Sequence, residues 1–168
     1  MIKVKYIHIM CFTNQDREYL WNKKIGSNNA IAIDDYGAII HKNATENSPY
    51  AWEIDHIMPQ RVLEIIGVQE VNINDEDNLR VIHKSNNRSK GDSFPEHTYD
   101  MTSPDGVHNT KIPPATNGIK PKFINYLNAL YGNEIRAFID NSRRMQRYTQ
   151  DRKYALKVLK DMGWDVDY

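Results

Sequence analysis

Trp52-Glu53-Ile54-Asp55-His56-Ile57-Met58-Pro59, then Asp77-Asn78-Leu79, then Asn86-Asn87-Arg88-Ser89-Lys90-Gly91-Asp92, is the stretch that decides how this chain reads. Trp52–Ile57 predicts a strand that stops before Pro59, because proline cannot continue a ladder. Leu79–His83 predicts a second strand, and a helix follows from about Lys84 or Ser85 to Lys90, with Gly91 as its stop. Adjacent side chains on a strand point to opposite faces, so Asp55 and His56 cannot both face the core. At a strand end, one can hold a cation by its carboxylate while the other reaches the same substrate from the side. Asn87 falls one turn into the following helix. An amide oxygen there, beside a carboxylate, is a hard-oxygen pair suited to Mg2+ or another divalent ion that keeps several waters. His56, with an ordinary pKa of about 6.5, is able to take a proton from water near neutral pH. Each residue alone has an ordinary explanation, since an asparagine near a helix start is more often a cap than a ligand. The order of strand, loop, strand and helix with these residue types is what carries the chemistry.

In that order the stretch resembles the HNH endonucleases, within the wider His-Me finger or ββα-metal nucleases. The residues that carry the resemblance are Ile54-Asp55-His56-Ile57-Met58-Pro59, Asn78-Leu79, then Asn87 nine residues beyond Asn78, with Arg88 and Lys90. Trp21 upstream, Asp35-Tyr36-Gly37 and the entry Tyr50-Ala51-Trp52-Glu53 also look like the family's approach, so the likeness covers about residues 17–92. The resemblance implies a ββα-metal core in which His56 is the general base and Asp55 and Asn87 ligate one divalent metal, Mg2+ first, Mn2+ or another as substitutes. It implies that Asn78 ties the loop to the strand and holds His56 in position. Arg88 and Lys90 would contact phosphate, and the products would be a 3′-hydroxyl and a 5′-phosphate. Many relatives carry two CxxC pairs around a structural zinc; this chain has only Cys11, so no structural zinc is expected and packing must replace it. The Gly- and Ser-rich segment usual after the proline is replaced by Arg61–Val68, whose apolar side chains predict a short helix or an apolar flap.

Upstream, residues 1–10 alternate well enough for a short strand with Ile2, Val4 and Tyr6 on one face. Thr13 or Asn14 caps a helix running to about Lys24, and Ala30–Asp34 and Ala38–His41 predict two strands joined by Asp35-Tyr36-Gly37. Downstream, five of the seven prolines fall within 94–122, a long irregular segment. Beyond it Phe123, Ile124, Leu127, Leu130, Tyr131, Ile135 and Phe138 form one helical apolar stripe, and Tyr148, Ala155, Leu159 and Met162 a second.

The chain of 168 residues carries 22 basic and 22 acidic side chains, yet the balance is uneven along it. Residues 51–110 have a net charge of −6 and residues 111–160 a net charge of +8. That split suits an acidic, cation-attracting centre beside a stretch that binds a polyanion. Arg143, Arg144, Arg147, Arg152 and Lys153 cluster there with Tyr148 and Tyr154, which fits contact with a nucleic-acid backbone. Lys120 and Lys122 extend the track. His83 reads as a satisfied or exposed histidine rather than a ligand, and His97 and His108 as solvated loop residues. No apolar run approaches the roughly eighteen residues of a membrane span, and no secretory leader is evident.

The expected fold is α+β: a nuclease core with its N-terminal extension over 1–93, an irregular connector over 94–122, and a basic helical region over 123–168 packed on the core. The expected activity is metal-dependent hydrolysis of DNA, duplex in preference, by a cytoplasmic enzyme of homing, phage, restriction or defence type. One such site cuts one strand, so a double cut requires a homodimer or two sequential nicks. The competing expectation is a nucleic-acid-binding module that keeps the fold without catalysis.

Overall fold

The computed structural model describes residues 12–91, 101–102, 108–109 and 121–166. The strand expected over the first ten residues, Lys120, the side chain of Lys122, and nearly all of the Pro-rich segment lie outside these. The architecture is α+β, with three two-stranded antiparallel sheets and six α-helices among the described residues.

Helix α1 (Asn14–Lys24) begins where expected. Thr13 accepts from the Asp16 backbone N–H, Asp16 reaches back to Thr13 N, and this reciprocal cap fixes the first turn. Strands β1 (Ile31–Ile33) and β2 (Ile39–His41) form a hairpin whose turn holds Gly37 at φ 83°, a conformation that favours glycine. Strand β3 (Trp52–His56) pairs with β4 (Leu79–His83) in a register that sets Trp52 opposite His83, Asp55 opposite Arg80 and His56 opposite Leu79. Helix α4 (Lys84–Lys90) follows β4 without a gap and stops at Gly91, φ 52°. The excursion between β3 and β4 is helical: α2 (Gln60–Ile65), α3 (Glu70–Ile73) and one 3-10 turn, Glu76–Asn78. Two short strands, β5 (Met101–Thr102) and β6 (His108–Asn109), pair with each other. Helices α5 (Pro121–Arg143) and α6 (Gln150–Asp161) complete the described fold.

Two apolar clusters hold these elements. The smaller one joins Leu20 and Trp21 of α1, Ile40 of β2, Trp52 and Ile54 of β3, and Leu79 and Val81 of β4. The larger one joins the α2–α3 excursion to the terminal helices, with Val62, Leu63, Ile73, Phe123, Leu127, Ile135, Leu156 and Leu159 at its centre. The apolar insert after Pro59 is thus a helix packed on the C-terminal helices, and Arg61 of α2 also pairs with Asp151 of α6. Leu130, placed by its spacing on the α5 stripe, instead stands 51% exposed. The seven-residue stripe is wider than the contact surface, and position 130 falls on its solvent edge. No helix of the described residues is long and apolar enough to cross a membrane.

Candidate functional site

Because side chains alternate along β3, Trp52, Ile54 and His56 lie on the face turned to α1, while Glu53 and Asp55 lie on the face turned to α4. Strand β4 is buried along its whole length. Two charged side chains meet across the pair: Arg80 Nε donates to Asp55 Oδ2 at 2.8 Å. The other oxygen of Asp55 accepts from Lys90 Nζ at 2.9 Å, and the same ammonium donates to the His56 carbonyl at 2.8 Å. Asp55, Arg80 and Lys90 are all buried, so this is a desolvated charge cluster. Such a cluster persists only when every charge in it is matched. Arg80 completes its own coordination with the Tyr36 hydroxyl at 2.9 Å and Asp35 at 3.2 Å, which draws the β1–β2 turn onto the cluster.

The same turn is pinned by Asp34. Its carboxylate accepts from the backbone N–H of Tyr36, Ala38 and His83 and from the Asn86 amide, all at 2.8–2.9 Å. One buried acid thereby ties the hairpin to β4 and α4. Nothing in its sequence surroundings marks Asp34 for this work beyond its place before a turn. His83 is satisfied, with Nε2 at 2.8 Å from the Pro49 carbonyl and Nδ1 accepting from Ser85 N as the cap of α4.

His56 ends β3. Its Nε2 lies 2.8 Å from Asn74 Oδ1, and its ring packs 5.6 Å from that of Phe12. An amide oxygen only accepts, so with Asn74 placed this way Nε2 carries the proton and Nδ1 keeps the lone pair. Burial pushes the His56 pKa below the ordinary histidine value; the Asn74 hydrogen bond and Asp55 pull it back up, and Lys90 adds to the lowering. The imidazole is therefore held neutral and oriented, the state in which it can accept a proton. Asn78 is wholly buried one residue before β4. Its Oδ1 accepts from Met58 N at 2.8 Å and its Nδ2 donates to the carbonyls of Ile73 and Met58, so it brackets the chain on both sides of the excursion. The Asn78 carbonyl also accepts from Ile57 N, directly after His56. Asn74, in the loop after α3, carries no sequence signal that would have found it.

The expected ligand pair is not assembled. Asn87 donates its Nδ2 to Glu53 Oε2 at 2.8 Å, and Asp55 has a cation on each oxygen. Among the described residues no three His, Cys, Asp or Glu side chains gather as a metal-binding group. The donors are of the right chemical kind, but a divalent ion on Asp55 would have to displace the Lys90 ammonium. As they stand, these side chains do not fit a resident metal. The residue that sequence reasoning missed here is Glu53, two positions before Asp55 and so on the same face of β3.

The basic residues divide. Lys90, expected at a phosphate, is instead buried, with its ammonium on Asp55 and on the His56 carbonyl, so the two charges in the interior match each other. Arg152 is half-buried; it donates to Ser142 Oγ at 2.6 Å and lies 4.5 Å from the Phe138 ring centre, clamping α6 to α5. Arg143 pairs with Asp140 at 3.3 Å and Asp165 at 3.6 Å. Arg88 is exposed, with Glu53 at 3.7 Å. Arg144, Arg147 and Lys153 are exposed and have no side-chain partner among the described residues. Two of these, Arg144 and Arg147, lie in the α5–α6 connection, with Met145 also exposed between them. Set against protein-family models, curated proteins and solved structures, the chain matches none of them.

Proposed function

We propose that this chain is an HNH-type endonuclease that hydrolyses phosphodiester bonds of DNA, with the β3–β4–α4 unit as its ββα nuclease core. The observation that carries the proposal is His56: neutral, oriented through Nε2 by Asn74, and left with a basic Nδ1 at the end of β3. In the reaction, Nδ1 takes a proton from water as its oxygen attacks phosphorus, and the 3′ oxygen leaves as an oxyanion that takes a proton from solvent, giving a 3′-hydroxyl and a 5′-phosphate. Asn78 positions His56 through the bracket it makes around Met58 and Ile73. Arg88 is the exposed cation of α4 suited to a phosphate contact. Arg144, Arg147 and Lys153 supply backbone affinity without sequence information. Lys90 and Arg80 neutralise Asp55 and so limit how far that carboxylate raises the pKa of His56.

The resemblance brings with it one divalent ion on Asp55 and Asn87. Since those side chains do not fit the ion as they stand, no step here is routed through it, and the metal requirement is left to the assay. The neutralised Asp55 is also what favours the second reading, a binding module without catalysis. A supercoiled-plasmid assay in Mg2+, Mn2+ or EDTA, with wild type and His56→Ala side by side, separates the two. Open circles or linear product that require His56 would support the nuclease, and the ratio of the two products distinguishes nicking from double cutting. Cleavage that disappears in EDTA would mean that Lys90 yields Asp55 to the metal. DNA binding with no cleavage under any of the three conditions would overturn the nuclease in favour of the binding module.

A further inference from the structure

A cavity of about 430 Å3 opens between α1 and the segment after β2, on the side of β3 away from Asp55. Asn14, Arg17 and Trp21 are spaced i, i+3 and i+7 on α1 and so share one face of that helix. Lys42, Asn43, Ala44 and Trp52 complete the lining. The Arg17 guanidinium carbon lies 3.9 Å from the centre of the Trp52 ring, and Nη2 donates to the Trp52 carbonyl at 3.0 Å. Its Nε and Nη1 make no hydrogen bond among the described residues, and the Glu53 carboxylate acts on the same charge. Lys42 Nζ donates to Asn22 Oδ1 at 2.9 Å, which occupies one of its three donors. Glu18 is the one carboxylate on the lining, and it is exposed.

This is a prepared site rather than a gap. The stacking on Trp52 and the bond to its carbonyl orient the guanidinium plane, and the second N–H of Nη2 together with its neighbour on one edge still offers two donors to phosphate oxygens. A second cation, Lys42, lines the same cavity, and the side-chain amides of Asn14 and Asn43 offer both donors and acceptors, as a base edge requires. The volume lies within the roughly 300–1,000 Å3 range of small-molecule sites.

We propose that this cavity is a nucleotide subsite, taking the phosphate of one nucleotide on Arg17 and Lys42 and its base against Asn14 and Asn43. Its role in the protein rests on the nuclease reading. Trp52 and His56 are the two ends of β3, so the subsite lies about 13 Å from His56 at roughly 3.3 Å per residue. That distance is the axial rise of about four nucleotides of one strand. A bound strand running parallel to β3 would be gripped about four nucleotides from the bond to be cut.

The three tryptophans make the test direct, because Trp21 and Trp52 line the cavity and Trp164 lies on the helical side, hydrogen-bonded to Asn128. The full chain labelled with 5-fluorotryptophan is titrated with deoxyadenosine 5′-monophosphate, inorganic phosphate and deoxyadenosine and followed by 19F NMR. The monophosphate is expected to shift the Trp21 and Trp52 resonances saturably and to leave Trp164 in place. Arg17→Lys should weaken it about tenfold or more, the effect expected when a charged fork is removed. Asn43→Asp, at the exposed rim where folding is not at stake, should weaken it by charge repulsion. Equal binding of deoxyadenosine, equal binding of bare phosphate, or an affinity unchanged in both variants would overturn the subsite. The outcome is independent of catalysis. Nucleotide binding in a chain that cuts no DNA keeps the subsite and defeats the nuclease, whereas cutting without nucleotide binding does the reverse.

Discussion

The two halves of this molecule are built on opposite principles. The cluster shared by α2, α3, α5 and α6 buries eighteen apolar side chains, whereas the one beneath β3 and β4 buries seven. The smaller half nevertheless holds Asp34, Asp55, Arg80, His83, Asn86 and Lys90 out of water, and among the described residues the larger adds only Asn72 and Ser142. Buried charges contribute little net stability once their desolvation is counted. Apolar area removed from water contributes steadily, about 25 cal/mol per Å2. The helical half is thus held by apolar burial, while the sheet half carries a polar network that reaches His56 through the Lys90 bond to its carbonyl. Asn78 stands at the border, bonded to both sides of the excursion that joins them.

The largest expected effect comes from unbalancing the polar half. Asp55→Ala leaves Arg80 and Lys90 buried without their shared carboxylate, and should cost about 3–5 kcal/mol, read as a lower midpoint in urea denaturation. A variant as stable as wild type would mean that the cluster is not matched as described. Leu156→Ala in the helical half should cost about 2–5 kcal/mol through reduced burial and a cavity. Cleavage per folded molecule should hold in that variant; if it fell in step with stability, the division of labour between the halves would be wrong.

These contrasts are only partly legible in the sequence. Alternation and turn residues predict β3, β4 and α4 closely, because Pro59 and Gly91 stop them for local reasons. The cap at Thr13 marks α1 in the same way. The excursion after Pro59 is open between helix and flap in sequence, since six or seven residues of apolar sequence do not fix a period without the surface they pack on. Asn78 can be singled out, and its three hydrogen bonds suit the tie expected of it. Lys90 is expected at a phosphate yet lies buried, because a basic residue on a helix looks the same in sequence whether it faces water or a buried partner. Arg80, Asn74 and Glu53 escape a linear reading because their partners come from strand register and from a loop, neither of which a linear pattern displays. The cavity at Arg17 depends on α1 meeting the segment after β2, residues far apart in sequence.

Smaller effects sharpen the comparison further. Replacing both Arg144 and Arg147 by alanine should weaken DNA binding and flatten its salt dependence, by about 0.9 in the log–log slope for each phosphate no longer neutralised. Fluorescence anisotropy at several salt concentrations reads this, and an unchanged slope would remove the α5–α6 connection from the interface. The pH dependence follows from His56. Its folded pKa is depressed, so below about pH 6.5 the unfolded chain binds this proton more readily than the folded one. The stability linked to His56 is then fully present above that pH and is lost as pH falls toward the folded pKa. Cleavage should keep its neutral base to lower pH than a free imidazole allows. His56→Gln should remove that acid limb from the stability profile; a profile identical to wild type would mean that His56 does not titrate with folding.

The proposed nuclease places its chemistry at His56 and its affinity elsewhere. The most direct test measures DNA affinity and cleavage rate of His56→Ala in the same preparation. The expected result is a cleavage loss of about 10²–10⁴-fold, the usual contribution of a general base, with affinity within about twofold of wild type because phosphate contacts elsewhere set it. Binding and cleavage abolished together, or cleavage retained, would contradict it.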